Sequence, residues 1–315
     1  MKVVHIPKGN RKFRTVYCPD PAEKAALVRL VPSLTAAAVQ ADRSCVCHAF
    51  MPGRSPLTNA MQHRGHRFTL SFDLKDFFDT VSRRSFVGNV LEGKDDTIFK
   101  PEYDICFIAS PEDKLTLPPM LRLAYARQGL PTSPMIANMA AAPMDEALLA
   151  LSARSGRFDN SFVYTRYADD LCFSFDDARI AVMLKNRVPE IVKAHGFILN
   201  ESKTKMQCAA AGRRIICGIA VDDECHPTRH MKRRYRASVH KNNRPQMHGL
   251  REWLKLKVPR RWSYDEAVRK NNKTSEANLA ALRQPTTPAS NQAANPLQGS
   301  RVVALIGWAR RRFDL

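Results

Sequence analysis

The chain has 315 residues and carries 50 Lys or Arg against 30 Asp or Glu, a formal net charge of +20. This excess favours a polyanionic partner, of which nucleic acid is the commonest, over the alternative of a generically basic soluble protein. No apolar run approaches the roughly 20 residues that span a bilayer, and the N-terminus lacks a signal-peptide stretch, so we expect a cytoplasmic protein with no membrane partner.

The first third of the chain predicts a hairpin, a helix and a strand. Residues 5–19 are basic and contain a Gly-Asn pair, which is typical of a two-stranded hairpin. Residues 21–40 carry apolar side chains at helical spacing. Residues 67–73 alternate apolar and polar, the pattern of a half-buried strand, and Asp73 falls at its end. A turn and a helix are expected at 74–91.

The middle third combines an irregular segment with regular elements. Residues 92–119 are Pro-rich and indicate an insertion. Periodicity then predicts a buried alanine-rich helix at 138–151, strands at 161–167 and 171–175, a helix at 178–195 and a hairpin strand at 213–221. Asp169 and Asp170 fall in the turn between the two strands.

The basic character belongs to the C-terminal part. Residues 226–315 hold 20 Lys or Arg and 5 Asp or Glu, a net charge of +15. We expect a helical basic region there, broken by a polar, Pro-rich and flexible segment at 284–300 and followed by an amphipathic helix at 302–313.

The eight cysteines form no CxxC pair. Cys45 and Cys47, beside His48, lack a second ligand pair at the spacing of a zinc site. Reduced, structural thiols are therefore expected.

Two adjacent carboxylates in a tight turn repel each other, and each raises the pKa of the other. A divalent cation offsets this repulsion, and Asp73 from a separate strand would complete an oxygen-rich site that Mg²⁺ accepts. Two such ions serve in-line phosphoryl transfer. An Asp-Asp turn alone is commonly a solvated loop, but the strand flanks of Asp169 and Asp170 and the strand that ends on Asp73 favour the metal site.

Five segments resemble, in order and spacing, the motifs of reverse transcriptases. They are residues 73–78 (DLKDFF), 128–134 (QGLPTSP) with Asn138, 167–170 (YADD), 196–204 (GFILNESKT) and 216–219 (ICGI). Residues 59–63 (NAMQH) match the NAxxH element of bacterial retron reverse transcriptases. The retron pattern also expects Val-Thr-Gly near the primer grip, where this chain has Ile216, Cys217 and Gly218.

The resemblance implies an α+β fold of the right-hand polymerase type. Fingers are expected at about 1–66 and 84–140, a βαββαβ palm over the remainder up to 225, and a basic helical thumb at 226–315. It also implies two Mg²⁺ ions held by Asp73, Asp169 and Asp170 as the catalytic residues.

The resemblance implies nucleotide-binding roles for five side chains. Phe78 would crowd a ribose 2′-hydroxyl, the alternative being a core residue, and Gln128 would lie by the nucleotide sugar or simply cap a helix. Arg14 and Lys8 would grip the triphosphate or form a solvated basic hairpin. Lys203 would donate a proton to pyrophosphate, with Lys205 an equal rival by sequence, and the alternative for either is an ordinary surface lysine.

It also implies nucleic-acid contacts. Asn59 and His63 are expected either to contact RNA or to form a buried, hydrogen-bonded scaffold. Gly218 belongs to the primer-grip hairpin. Arg233, Arg234 and Arg236 would follow the phosphate backbone with little sequence preference.

The implied function is that of a retron reverse transcriptase. With dNTPs it would copy a structured non-coding RNA into RNA-linked single-stranded DNA (msDNA) primed from an RNA 2′-hydroxyl, as part of an anti-phage defence system with an accessory effector protein. The alternatives are another prokaryotic reverse transcriptase, of the group II intron, diversity-generating or unclassified defence type, and a catalytically silent RNA-binding protein. The silent class usually loses an aspartate or the nucleotide glutamine, and this chain retains them.

Overall fold

The computed structural model describes residues 1–9, 12–83, 85–86, 101–109, 124–152 and 161–255. The expected flexible segment at 284–300, the helix at 302–313 and most of the expected insertion at 92–119 lie outside these residues. Within them, no helix is long and apolar enough to cross a membrane.

The chain begins with an antiparallel hairpin, hereafter the flap, of strands β1 (Lys2–Gly9) and β2 (Lys12–Cys18). Helix α1 (Pro21–Ala41) follows, with a capping box in which Asp20 and Glu23 satisfy the free N–H groups of the first turn. Helix α2 (Pro56–Met61) has an equivalent box from Ser55 and Thr58.

The central part of the chain supplies a four-stranded antiparallel sheet and the elements that cover it. In chain order these elements are β3 (Phe68–Asp73), α3 (Phe77–Thr80), β4 (Ile108–Ala109), β5 (Ala124–Tyr125), α4 (Ser133–Leu149), β6 (Val163–Tyr167), β7 (Asp170–Phe175), α5 (Arg179–Ala194) and β8 (Lys205–Cys208). Strands β4 and β5 pair with each other, and the main sheet has the order β6-β7-β3-β8.

This connectivity gives the expected βαββαβ palm, with β3, α4, β6, β7, α5 and β8 in succession. Helix α4 is buried along most of its length, because most of its side chains are Ala, Met, Ile or Leu; the polar Ser133, Asn138 and Asp145 are buried with them. Helix α5 is amphipathic and buries Ile180, Leu184 and Val188. Together they cover the sheet with one continuous apolar core.

Three short strands and two helices follow the palm. Strands β9 (Arg214–Ile216), β10 (Ile219–Val221) and β11 (Cys225–Pro227) form an antiparallel sheet, and helices α6 (Arg229–His240) and α7 (Arg244–Leu254) pack against each other. Three 3-10 turns complete the described elements, at Pro101–Cys106, Glu201–Lys203 and Ala209–Ala211. The mixed α+β class expected from the sequence is confirmed.

Candidate active site

The sheet brings the three predicted aspartates to one edge. Asp73 is the last residue of β3 and lies opposite Asp170, the first residue of β7. Tyr167 of β6 pairs with Asp170 of β7, so residues 168 and 169 form a two-residue turn between these strands. Asp169 is the second residue of that turn. The Leu74 N–H donates to the Asp169 carbonyl at 2.8 Å, which ties the turn to the end of β3.

Ala168, the first residue of that turn, has φ 57°. The left-handed region costs a residue with a Cβ about 1–2 kcal/mol, so neighbouring contacts must hold it there. The turn of residues 167–170, hereafter the catalytic turn because the sequence predicts a catalytic role for its aspartates, therefore depends on its surroundings for its shape.

Lys203 and Asn200 contact the carboxylate of Asp73. The Lys203 Nζ donates to Asp73 Oδ1 at 2.6 Å, and the Asn200 Nδ2 donates to Oδ2 at 3.3 Å. The hydrogen bond to Asp73 raises the pKa of Lys203. Of the two rival lysines, Lys203 is the one whose ammonium contacts an aspartate of the site, while Lys205 is exposed on β8.

The pKa values of both turn carboxyls are raised. For Asp170, partial desolvation and then repulsion from Asp169 and Asp73 raise the pKa to about 6. For Asp169, desolvation and Asp73 raise the pKa, while its own backbone hydrogen bond, Lys203 and Arg14 oppose that rise. The three carboxylates thus act on one another electrostatically.

The donor set fits a hard divalent cation in charge and chemistry. Three carboxylates that repel one another supply the oxygen ligands that Mg²⁺ prefers. Within the described part of the chain, no group of three His, Cys, Asp or Glu side chains already has the arrangement of a metal site. The ammonium group of Lys203 places a positive charge beside Asp73.

The flap contacts the segment at 128–129, and its Arg14 lies near Asp169. Arg14 lies on β2, is exposed, and is close enough to Asp169 to lower its pKa. Lys8 is exposed on β1, and no contact between it and the aspartates is found among the described residues. The Gln128 side chain is half-buried, and the backbone carbonyl of Gln128 accepts from the Tyr17 N–H of β2 at 2.8 Å.

Phe78 is half-buried on α3, five residues after Asp73. Its ring packs against Phe77 at a centroid distance of 5.4 Å and against the exposed Phe50 at 6.5 Å. The ring therefore rests on the core at one side and retains an open side, a position compatible with the expected contact to a sugar.

Asn59 and His63 correct the expectation of RNA contact, because both side chains are fully buried. His63 bridges two strands through Ser174 Oγ at 2.9 Å and Thr165 Oγ1 at 2.6 Å. The Asn59 Nδ2 donates to the Cys217 Sγ at 3.3 Å. A nucleic acid cannot reach these groups in this structure, and the scaffolding alternative describes them.

Gly218 and Cys217 form the two-residue turn between β9 and β10, and both have positive φ, 77° and 48°. Such a pair is typical of a type I′ hairpin turn, which explains the glycine. Trp253 of α7 packs against the apolar cluster to which this hairpin belongs. Its ring is 3.8 Å from the position that a Cβ on Gly218 would occupy.

Arg233, Arg234 and Arg236 are exposed on α6. None of them forms an ion pair with an acidic residue of the described part of the chain. Among the described residues, no contact joins these arginines to the aspartates. They form a basic surface of their own on α6.

Two arginines near the site were not singled out from the sequence. Arg166, just before the catalytic turn, forms a fully buried ion pair with Asp145 of α4. Arg127 pairs with Asp79 at 2.9 Å, and its guanidinium lies over the rings of Tyr17 and Tyr125. The available signal for the first pair is an Asp in a helix rich in Ala and Met and an Arg in a strand next to the Asp-Asp turn.

Comparison with known proteins gives one family. Residues 6–235 match the family described as reverse transcriptase (RNA-dependent DNA polymerase). The retron Mx162 reverse transcriptase of Myxococcus xanthus is 32% identical over 75% of this chain and 51% of its own length, and the retron Mx65 reverse transcriptase of the same organism is 29% identical over 81% and 60%. The chain thus spans about half to three fifths of the length of these relatives.

Among solved structures, a telomerase from Candida albicans has a TM-score of 0.49 at 12% identity, covering 72% of this chain and 45% of that chain. This likeness is too weak to support an inference.

Proposed function

The chain belongs to the reverse transcriptase family, and from that membership we propose that it is an RNA-directed DNA polymerase of the retron type. The observation that carries the proposal is the convergence of Asp73, Asp169 and Asp170 at one sheet edge. A right-hand polymerase of this family performs its chemistry at such an edge, and the βαββαβ palm supports the assignment.

Asp73, Asp169 and Asp170 would hold two Mg²⁺ ions. When bound, such ions activate a primer hydroxyl and neutralise charge on the departing pyrophosphate. The deprotonated carboxylates would supply the ligands. Lys203, whose ammonium contacts Asp73, would act as proton donor to the pyrophosphate.

The remaining site residues would bind and orient the nucleotide. Arg14, carried by β2 of the flap, draws the triphosphate toward the aspartates, and Lys8 adds a positive charge on the paired strand β1. Gln128 lies by the sugar. Phe78 presents the open side of its ring to the 2′ position, where a hydroxyl would clash, so that deoxynucleotides are preferred.

We further propose the retron form of this activity. A structured non-coding RNA serves as template and primer, and synthesis from an RNA 2′-hydroxyl gives RNA-linked single-stranded DNA. The retron relatives and the NAMQH segment at 59–63 support this subtype. A cytoplasmic anti-phage role with an accessory effector protein belongs to the same proposal.

Sequencing the nucleic acid that copurifies with the chain tests the subtype. Expressed with its neighbouring genomic region, the wild-type chain should bring down one short RNA joined to DNA through a 2′ branch, and Asp169→Asn should bring down the RNA alone. Linear DNA products without a branch would indicate another prokaryotic reverse transcriptase. RNA alone in both preparations would indicate a silent RNA-binding protein.

A further inference from the structure

A fully buried ion pair lies behind the catalytic turn, and the proposed chemistry leaves it without a role. Arg166 and Asp145 are 0% and 1% exposed. The Arg166 Nε donates to both carboxylate oxygens of Asp145 at 3.0 Å, and Nη2 donates to Oδ2 at 2.8 Å. The Tyr164 hydroxyl donates to Oδ1 at 2.7 Å. This fork fixes the plane of the guanidinium.

The third guanidinium nitrogen reaches the catalytic turn. Nη1 of Arg166 donates to the Ala168 carbonyl at 3.3 Å and to the Asn138 Oδ1 at 3.0 Å. Asn138 is itself fixed, because its Nδ2 donates to the Ala49 carbonyl at 2.9 Å. The guanidinium thus connects α4 to the backbone of Ala168, the residue with φ 57°.

The Arg166 side chain also contacts Phe77, the aromatic neighbour of Phe78. The guanidinium carbon of Arg166 lies 5.7 Å from the centroid of the Phe77 ring, and Phe77 packs against Phe78. The backbone of Arg166 is held as well, since its N–H donates to Val46 and its carbonyl accepts from His48.

Stability alone does not account for this arrangement. A buried ion pair costs desolvation and can commonly be replaced by apolar residues without loss of stability. A strained backbone residue, by contrast, keeps its conformation only where surrounding contacts over-determine it. The contact between Arg166 and the Ala168 carbonyl is one of those contacts.

We propose that Arg166, oriented by Asp145 and Asn138, is a positioning residue that holds the catalytic turn in register through the Ala168 carbonyl. The inference rests on the proposed polymerase function, because the turn matters for catalysis only if Asp169 and Asp170 are catalytic. Asn138, which the resemblance grouped with the motif at 128–134, then acts through Arg166.

Arg166→Lys tests the proposal, because lysine keeps the positive charge for Asp145 but lacks the planar fork that reaches Asn138 and Ala168 together. Arg214→Lys is the matched control. Arg214 is equally buried at 1% exposure and binds the same sheet through Thr69, Ser174 and the His63 carbonyl, yet it does not contact the turn.

The readouts are kcat and KM for dNTP on an RNA template. Arg166→Lys should lower kcat by about 10- to 100-fold, because small displacements of catalytic groups have effects of that size. Its KM should stay within about 3-fold of wild type, since ground-state binding is untouched. Arg214→Lys should keep kcat within about 3-fold. Equal kcat losses in the two variants would overturn the positioning role.

Hydrogen exchange of peptides that contain Leu74 and the catalytic turn gives a readout that does not require activity. Arg166→Lys should speed exchange there by about 10-fold, while Arg214→Lys should not. Unchanged exchange in Arg166→Lys would also overturn the proposal. A wild-type chain that makes no DNA would instead contradict the proposed function, and the exchange result would still decide the positioning role.

Tyr164→Phe provides a second variant if Arg166→Lys does not fold. It removes only the hydroxyl that binds Asp145 and keeps the ring stacked on Phe173, at a centroid distance of 4.7 Å. We expect faster exchange in the catalytic turn and a kcat reduced by about 5-fold, the effect of one hydrogen bond. Wild-type values for both quantities would contradict the network's role.

Discussion

His63 shows how one buried side chain makes the fold sensitive to acid. Its two ring nitrogens contact the hydroxyls of Ser174 and Thr165, so a neutral ring, with one donor and one acceptor nitrogen, has both of its hydrogen bonds there. Burial, and then the charge of Arg214, lower the pKa of His63 to about 3. An unfolded histidine titrates near 6.5, so between these values the unfolded chain binds a proton that the folded chain does not.

The stability contributed by a neutral His63 should therefore be lost as the pH falls below about 6.5. Between pH 7 and pH 5 the loss from this group is about 2 kcal/mol. Urea unfolding of wild type and His63→Gln at both pH values measures it. The variant should be less stable at pH 7 but should show a shallower decline, and equal declines in the two proteins would contradict a neutral buried His63.

Phe78 offers a residue-scale test of sugar selection. Phe78→Ala should raise the use of ribonucleotides relative to deoxynucleotides by about 10-fold or more, because removing the ring opens space for a 2′-hydroxyl without altering a carboxylate. Phe68→Ala is the control, since Phe68 is also half-buried but stacks on Phe175 at the opposite end of β3. Single-nucleotide incorporation measures the ratio, and an unchanged ratio in Phe78→Ala would make Phe78 a core residue only.

At the level of elements, β2 of the flap closely approaches the segment at 128–129. Gly129 has φ 105°, and a Cβ on it would lie 2.4 Å from the Tyr17 carbonyl and 2.7 Å from a methyl carbon of Val16. The neighbouring Gln128 carbonyl accepts from the Tyr17 N–H, and Arg127 lies over the Tyr17 ring. The position of β2, and of Arg14 on it, therefore depends on a glycine at 129.

Gly129→Ala should displace β2 and raise the KM for dNTP by about 10-fold, while RNA binding changes little. Gly212→Ala is the control, because Gly212 also has a positive φ, 130°, but a Cβ there meets nothing within 4 Å. Steady-state kinetics with varied dNTP measures both variants. The same KM in both would mean that the close approach does not position Arg14.

The sequence predicted the palm elements well where one face of a strand or helix is apolar. The strand expected at 67–73 is observed at Phe68–Asp73, and the helix expected at 178–195 at Arg179–Ala194. The helix expected at 138–151 begins earlier, at Ser133, because Pro134 is compatible with a first helical turn. The single strand expected at 213–221 is two strands, separated by the Cys217-Gly218 turn.

The polar contacts of the site could not be predicted from periodicity. The partners of His63 lie 102 and 111 residues away, and those of Arg166 lie 21 and 28 residues away on another element. Spacing indicates which face of an element is buried, but it does not show which elements meet. The burial of Asn59 and His63, and the network around Arg166, therefore required the structure.

At the scale of the whole molecule, positive charge is concentrated beyond residue 225, and its described part includes an exposed arginine cluster on α6. Replacing Arg233, Arg234 and Arg236 together with Gln should weaken RNA binding about equally for cognate and scrambled sequences. Each lost phosphate contact should flatten the log–log dependence of affinity on salt by roughly one unit.

Binding titrations of both RNAs at several salt concentrations measure this effect. Replacing Arg179, Arg187 and Arg213 is the matched control, since these exposed arginines lie on other elements and are each paired with an acidic residue. If affinity for cognate RNA collapsed while affinity for scrambled RNA stayed constant, the α6 arginines would read a specific RNA structure rather than the backbone.

Primer extension with Asp169→Asn tests the claim that three carboxylates at one sheet edge make this chain an RNA-directed DNA polymerase. Asp177→Asn is the control, because Asp177 is an aspartate near the other end of β7 whose side chain pairs with Arg179. With Mg²⁺, dNTPs and a primed RNA template, wild type and Asp177→Asn should make DNA. Asp169→Asn should make none while binding the RNA within a few-fold of wild type, whereas extension by Asp169→Asn near the wild-type rate would contradict the claim.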